Sequence, residues 1–272
     1  MKIYIILLIL SFPFTKIYAQ TIDSSTFFQE YVHSIDSKLG RKKPANYEEV
    51  IMISAYDNAA LGKHLKKCKN LVQLTVRWYD KPHLKALFEN LADNESLQIL
   101  YLTDISVDSI PKEIELLPNL AGFNIFNCDS IQYLPPEINN IKSLQQINIS
   151  LCKACNNDAL LDVAFDNKYI KDLKLTCLGL KKVPNKIAEM KQLEELSLGQ
   201  NLLEEIPKVV LDMPNLRKLN VSWNYDLAKL PCWLKELKMI EEINIRETKV
   251  KKIPPKCLRN EAFEDVLLMP TF

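Results

Sequence analysis

The sequence predicts an α/β solenoid. It is expected to be a right-handed stack of short coils, each giving one strand to a parallel concave β-sheet and a 3-10 or short helical segment to the convex side. Three observations predict this. An apolar pattern recurs every 23–26 residues, an aliphatic–Pro pair recurs inside it, and the composition is that of a folded chain with little glycine.

The repeat is clearest from Leu97, where apolar residues fall at Leu100, Leu102, Ile105, Val107, Ile110, Ile114 and Leu117, with Pro111 after Ile110. Further copies open at Leu120, Leu144, Ile170, Leu193, Leu216 and Ile240. A weaker one opens at Leu71 and a doubtful one near Tyr47. Within each opening, the fourth and sixth positions are apolar while the third, fifth and seventh are mostly polar. That alternation is the period of a strand with one face buried. No coil can bury its own leucines, so stability has to come from stacking on its neighbours. Pairs such as Val183-Pro184, Ile206-Pro207 and Ile253-Pro254 turn the chain onto the convex side, where proline's fixed φ and missing N–H are tolerated.

Two copies depart from this pattern. The one opening at Leu144 lacks the aliphatic–Pro pair, and its residues 156–165 read as a short helix capped by Asn157 or Asp158. The copy from Leu71 carries residues 83–92, with Leu84, Leu87 and Leu91 on one helical face. Copies holding the Pro pair are expected to run through 3-10 or irregular convex segments.

The ends differ from the middle. Residues 1–20 place Lys2 before an apolar run from Ile3 to Leu10 and end on Ala19-Gln20, the layout of an export signal cut after Ala19 or Gln20. An uncleaved anchor or a buried apolar strand is the alternative. The run is about half the ~20 residues a membrane-spanning helix requires. Residues 21–46 are expected to form an N-terminal helical cap, with Phe28, Tyr31, Val32, Ile35 and Leu39 at helical spacing. The repeats then occupy 47–258 in about eight or nine coils, and 259–272 form a C-terminal cap.

The copies resemble the leucine-rich-repeat family, in the subclass written LxxLxLxxNxLxxIPxxIxxL, over most of the chain. The Tyr18-Ala19-Gln20 ending resembles secretory signals of Bacteroidetes-type bacteria. The resemblance implies a non-catalytic module that binds a protein or peptide on its concave sheet. Its expected location is outside the cytoplasm: periplasmic, at the cell surface or secreted. An envelope-associated assembly protein is the alternative, and an intracellular scaffold a more distant one.

Residue patterns that carry chemistry are sparse in this chain. Formal charge is +1, and removing the two lysines of residues 1–20 leaves 33 basic against 34 acidic residues. A near-neutral chain lacks the basic field that nucleic acid demands. No nucleophile elbow, P-loop, HExxH or calcium-loop pattern appears, so no catalytic residue, cofactor or metal is expected. Cys152-Lys153-Ala154-Cys155 is the sharpest chemical motif. It has three readings: buried structural thiols, a disulfide involving Cys152, Cys155, Cys128 or Cys177, or a redox or metal site. No second metal half-site accompanies it.

Once the register is fixed, the outward strand positions can be named. The expected partner-binding residues are Arg77, Trp78, Tyr101, Phe126, Asn148, Lys174, Lys218, Asn220, Trp223 and Arg246. Trp78, Tyr101 and Phe126 fall on three successive coils beside Arg77, and exposed aromatics with Arg are the residue types that anchor interfaces. Trp78 and Trp223 have the alternative role of packing over neighbouring loops.

Overall fold

A computed structural model describes residues 49–53, 65–66, 68–77, 82–155, 157–251 and 267–268, with the first and last of these segments and Arg77 described by backbone alone. The expected export signal and N-terminal helical cap lie outside these residues.

One parallel sheet of ten strands runs through the described chain in sequence order. Its members are β1 (Glu49–Ile53), β2 (Gln73–Arg77), β3 (Ile99–Thr103), β4 (Gly122–Phe126), β5 (Gln146–Ser150) and β6 (Asp172–Thr176). The series ends with β7 (Glu195–Ser197), β8 (Lys218–Asn220), β9 (Glu242–Asn244) and β10 (Leu267–Leu268). Pairing follows the repeat without slippage: Leu74 lies opposite Leu100, Leu100 opposite Phe123, Phe123 opposite Ile147. The doubtful copy near Tyr47 is therefore a full member of the ladder, and β10 continues it within the segment expected to cover the last coil.

Two α-helices among the described residues fall where the pattern places them. The first, α1 (Leu84–Leu91), buries Leu84, Leu87, Phe88 and Leu91. The second, α2 (Asp158–Phe165), is capped by Asn157, whose side-chain oxygen accepts the Leu160 N–H at 2.8 Å. Among the described residues, every copy with an intact aliphatic–Pro pair instead passes through a 3-10 segment that starts just after its proline, as at Lys112–Leu116, Asn185–Glu189 and Lys208–Asp212.

Among the described residues the core is a single column of stacked apolar side chains, mostly aliphatic, running behind β2 to β9. Under its edge, the ninth position of each repeat forms a second column: Ile105, Cys128, Cys152, Leu178, Asn201, Asn224 and Thr248. Asn201 accepts the N–H groups of Leu178 and Leu180 and donates to the carbonyls of Leu175, Leu198 and Gly199. Asn224 repeats most of this, accepting from Leu203 and donating to Leu198, Val221 and Ser222. Backbone groups at this turn have left the sheet ladder, so a buried amide satisfies what the ladder cannot.

Truncating Asn201 to Ala strands two buried N–H groups and the Leu175 carbonyl. Asn201→Ala is expected to lower stability by about 3 kcal/mol, read from the urea midpoint of unfolding, because each orphaned buried group costs roughly 1–3 kcal/mol.

Candidate protein-binding surface

Strand alternation sends positions three, five and seven of each coil to the open face of the sheet. Position eight leaves the sheet by an unusual route. Asp104, Asn127, Leu151, Cys177, Gln200, Trp223 and Glu247 all have φ between 52° and 58°, the left-handed region that non-glycine residues seldom enter. From Asp104 to Trp223, each of these residues donates its N–H to the carbonyl of position seven in the next coil, at 2.9–3.1 Å. Those acceptors are Phe126, Ser150, Thr176, Gly199, Ser222 and Arg246. The turn thus adds one inter-coil hydrogen bond per repeat and swings its side chain onto the rim of the open face.

Several of these rim positions carry apolar side chains. Phe126 is 42% exposed at the end of β4, and Leu151 38% exposed on the next coil. Leu202 (48%), Trp223 (42%) and Tyr225 (59%) follow on the coils of β7 and β8. The rings of Trp223 and Tyr225 meet edge to face, with centroids 6.1 Å apart. Half-buried Cys177 lies between the two groups.

The expected partner-binding residues divide in three. Trp78 lies outside the described residues, and so does the side chain of Arg77. Lys174, Lys218 and Asn220 face outward but are engaged within the sheet. Lys174 pairs with Asp172 at 3.0 Å and Lys218 with Glu195 at 2.6 Å, the latter contact raising the Lys218 ammonium above its ordinary pKa. Asn220 donates to Ser197 and accepts from the backbone and hydroxyl of Ser222. Tyr101, Phe126, Asn148, Trp223 and Arg246 keep a ring or a polar group available. Register separates Tyr101 from Phe126: Tyr101 lies opposite Asn124 and Phe126 opposite Thr103, so the two sit on a diagonal rather than in one column. Arg246 is exposed, and its guanidinium has no partner among the described residues. Arg217, by contrast, is held by Glu241.

Sequence reasoning missed Leu202 and Tyr225, which stand at the tenth position, beyond the strand alternation used to find outward residues. Leu151 and Cys177 were visible at position eight, and nothing in the pattern marked that turn as a rim.

The Cys152–Cys155 motif is buried structure. Both thiols are inaccessible, and none of Cys68, Cys128, Cys152, Cys155 and Cys177 forms a disulfide. Cys128 and Cys152 occupy the asparagine column. The Cys128 thiol donates to the Phe126 and Leu102 carbonyls, its N–H donates to the Cys152 sulfur at 3.2 Å, and Cys152 donates to Ser150. Burial pushes the Cys68 thiol up to about 11, and Cys152 is raised to about 12 amid its contacts with Cys128 and Cys155. Cys232 is disulfide-bonded. Among the described residues no group of three His, Cys, Asp or Glu side chains could hold a metal ion, and no helix is long and apolar enough to cross a membrane.

Residues 48–152 match the family described as R13L1/DRL21 LRRs, and residues 168–225 match the family described as leucine rich repeat. The chain is a leucine-rich-repeat solenoid. Its fold is similar to that of InlP from Listeria monocytogenes (TM-score 0.56, 17% identity, 75% of this chain and 57% of that one). It is also similar to the Toll–Spatzle complex of Drosophila (TM-score 0.58, 16% identity, 77% of this chain and 28% of that one). In sequence it is similar to the Arabidopsis thaliana disease resistance protein RPS4, at 24% identity over 163 residues, covering 60% of this chain and 13% of the relative. The Arabidopsis protein SUPPRESSOR OF npr1-1, CONSTITUTIVE 1 is 28% identical over 139 residues, covering 51% of this chain and 9% of the relative. The leucine-rich-repeat solenoid thus spans a small part of these plant relatives. Neither family matched is an enzyme family.

Cys177 is the accessible member of the five free thiols. Iodoacetamide applied to the native protein is expected to label Cys177 first, with Cys68, Cys128, Cys152 and Cys155 reacting after denaturation, as read by peptide mass mapping. Reaction needs the thiolate, which burial disfavours.

Proposed function

We propose that this chain is a non-catalytic recognition module, exported from the cytoplasm, that binds a protein or peptide with the rim and open face of its sheet. One observation carries the reading: exposed Phe126, Leu151, Leu202, Trp223 and Tyr225 lie along one edge, next to the unpartnered Arg246. Trp, Tyr and Arg are the residues in which interface energy concentrates. Exposed apolar patches mark interaction sites, and the Trp223 and Tyr225 rings, 6.1 Å apart, form one. A complex with a second protein is known for one structure of similar fold, Toll with Spatzle.

Export is supported by residues 1–20 and by the disulfide at Cys232, a bond that persists in oxidising compartments. The five free thiols are compatible with that setting, since four of them are buried. The Ile/Leu-Pro subclass and a Bacteroidetes-type bacterial source belong to the same reading, resting on the recurrent Pro pairs and the Tyr18-Ala19-Gln20 ending.

The test expresses the full chain in a Gram-negative host and recovers it from periplasm and medium. Mass spectrometry of the N-terminus is expected to find cleavage after Ala19 or Gln20. Protein retained in the cytoplasm with residues 1–20 intact would remove the export reading. The recovered protein and its Phe126→Ala/Trp223→Ala/Tyr225→Ala variant then serve as baits against surface and secreted proteins of the source organism. The variant is expected to lose the principal captured protein while keeping the wild-type melting temperature. Equal capture by both baits would move the binding site elsewhere. Concentration-dependent self-association abolished by the same substitutions would favour an assembly protein instead.

A further inference from the structure

We propose that the rim strip receives an extended peptide that crosses the strands at right angles. Two apolar side chains of the peptide, about six residues apart, would seat at Phe126–Leu151 and at Trp223–Tyr225, with a carboxylate just beyond the second seat on Arg246. This rests on the binding reading above and specifies its partner.

Spacing gives the peptide its length. Phe126 ends β4 and Trp223 follows β8, four strands further along the ladder. Strands lie ~4.8 Å apart, so the two seats are separated by roughly 19 Å, and an extended chain rises ~3.3 Å per residue. Six residues span the gap. Six is an even number, so both anchors project from the same face of the extended segment.

The floor between the seats chooses extended backbone over helix. Ser150, Thr176, Gly199 and Ser222 occupy position seven there, all small, and a Cβ built on Gly199 would come no closer than 3.4 Å to the Ser222 carbonyl. Several polar side chains along this stretch keep free hydrogen-bonding groups. The Asn148 oxygen accepts from Ser150 and the Asn244 oxygen from the Arg246 N–H, leaving both amide NH2 groups unengaged. The Thr176 hydroxyl and Gln200 amide have no partner among the described residues. A helix satisfies its own backbone except at its ends and has no use for such groups. An extended segment exposes one N–H and one C=O at every residue and needs them.

Charge fixes the far end. Arg246 is one coil beyond Trp223, whose N–H donates to the Arg246 carbonyl. Neighbouring cations are already neutralised: Lys249 pairs with Asp226 at 2.7 Å, Arg217 with Glu241 and Lys218 with Glu195. Glu242 and Glu247 lie on the same coil, and neither pairs with Arg246. The free guanidinium is therefore matched to a planar carboxylate, which it can bind with two parallel hydrogen bonds. That carboxylate is either an Asp or Glu side chain or the end of the peptide chain.

The experiment selects from a random dodecapeptide library on the immobilised full chain, and the enriched sequences are then synthesised. Expected are two aromatic or aliphatic residues six apart, followed within two residues by Asp or Glu or by the chain end. Each peptide is made as the free acid, as the C-terminal amide, and with its acidic side chain replaced by Asn or Gln, which separates the two carboxylate sources. By fluorescence anisotropy, Phe126→Ala and Trp223→Ala are each expected to weaken binding tenfold or more. Arg246→Ala is expected to weaken the acid form tenfold and leave the neutralised peptide unchanged, a coupling that loss of fold would not produce. Enrichment without the six-residue spacing, or equal effects of Arg246→Ala on acid and neutral peptides, would overturn the proposal. If these fail while the triple rim variant still loses its captured protein, the surface serves a folded partner and the recognition reading stands. If both fail, both fall.

Discussion

Seven successive coils leave the sheet through a residue of positive φ, and both the exposed rim and the stacking of the coils depend on that turn. Left-handed backbone costs a non-glycine residue of order 1 kcal/mol. Only a compensating bond makes it tolerable at Leu151, Cys177, Gln200 and Trp223. The compensation is the N–H donated to position seven of the next coil. Each coil therefore holds its predecessor's turn, and the strain is shared along the solenoid rather than concentrated in one loop. The same geometry lifts the position-eight side chain out of the column of buried leucines. A strand continued in regular geometry would have pointed that side chain inward.

Beneath the turn, the ninth position must supply polar groups from a side chain, and two chemistries serve. Asn201 and Asn224 use amides that accept and donate at once. Cys128 and Cys152 use thiols that donate weakly to the same carbonyls and accept an N–H at sulfur. A thiol is smaller and more apolar, and it gives up the second accepted bond. The N-terminal half of the solenoid therefore rests more on packing, with Phe123 and Phe165 fully buried beside it, and the C-terminal half more on amide bonds. The expense of burying a thiol is chemical inertness, which the raised Cys68 pKa expresses.

Most of the fold was legible in the sequence because the repeat states one geometric rule many times. Strand register, the 3-10 segments after the Pro pairs and the α2 cap at Asn157 all follow from residue type at a fixed position. The surface was legible only in part. Alternation tells which side a residue faces, so it found Phe126 at position seven, whereas Trp223 at position eight faces outward because of the turn. It does not tell whether an outward side chain is already engaged. Lys174 and Lys218 look like contact residues in a list of outward positions, and the list does not say that each side chain is already taken by a carboxylate, Asp172 on the same strand for Lys174 and Glu195 on the neighbouring strand for Lys218. Tyr225 and Leu202 lie past the point where alternation ends, in a turn whose direction depends on a φ value that no residue type there announces.

The open face thus separates into two kinds of polar group with different consequences. Where a charge meets its opposite, on its own strand as Lys174 meets Asp172 or on the neighbouring strand as Lys218 meets Glu195, the pair lies near solvent and contributes little to stability. Its effect is to keep the face soluble while leaving nothing for a partner to bind. Where amides, hydroxyls and the Arg246 guanidinium stay unengaged beside exposed rings, water occupies them in the free protein and a ligand can replace that water bond for bond. Apolar area then supplies affinity, and the polar groups supply orientation. A rigid sheet can bind in this way without moving, because its side chains are already held at the spacing of its strands.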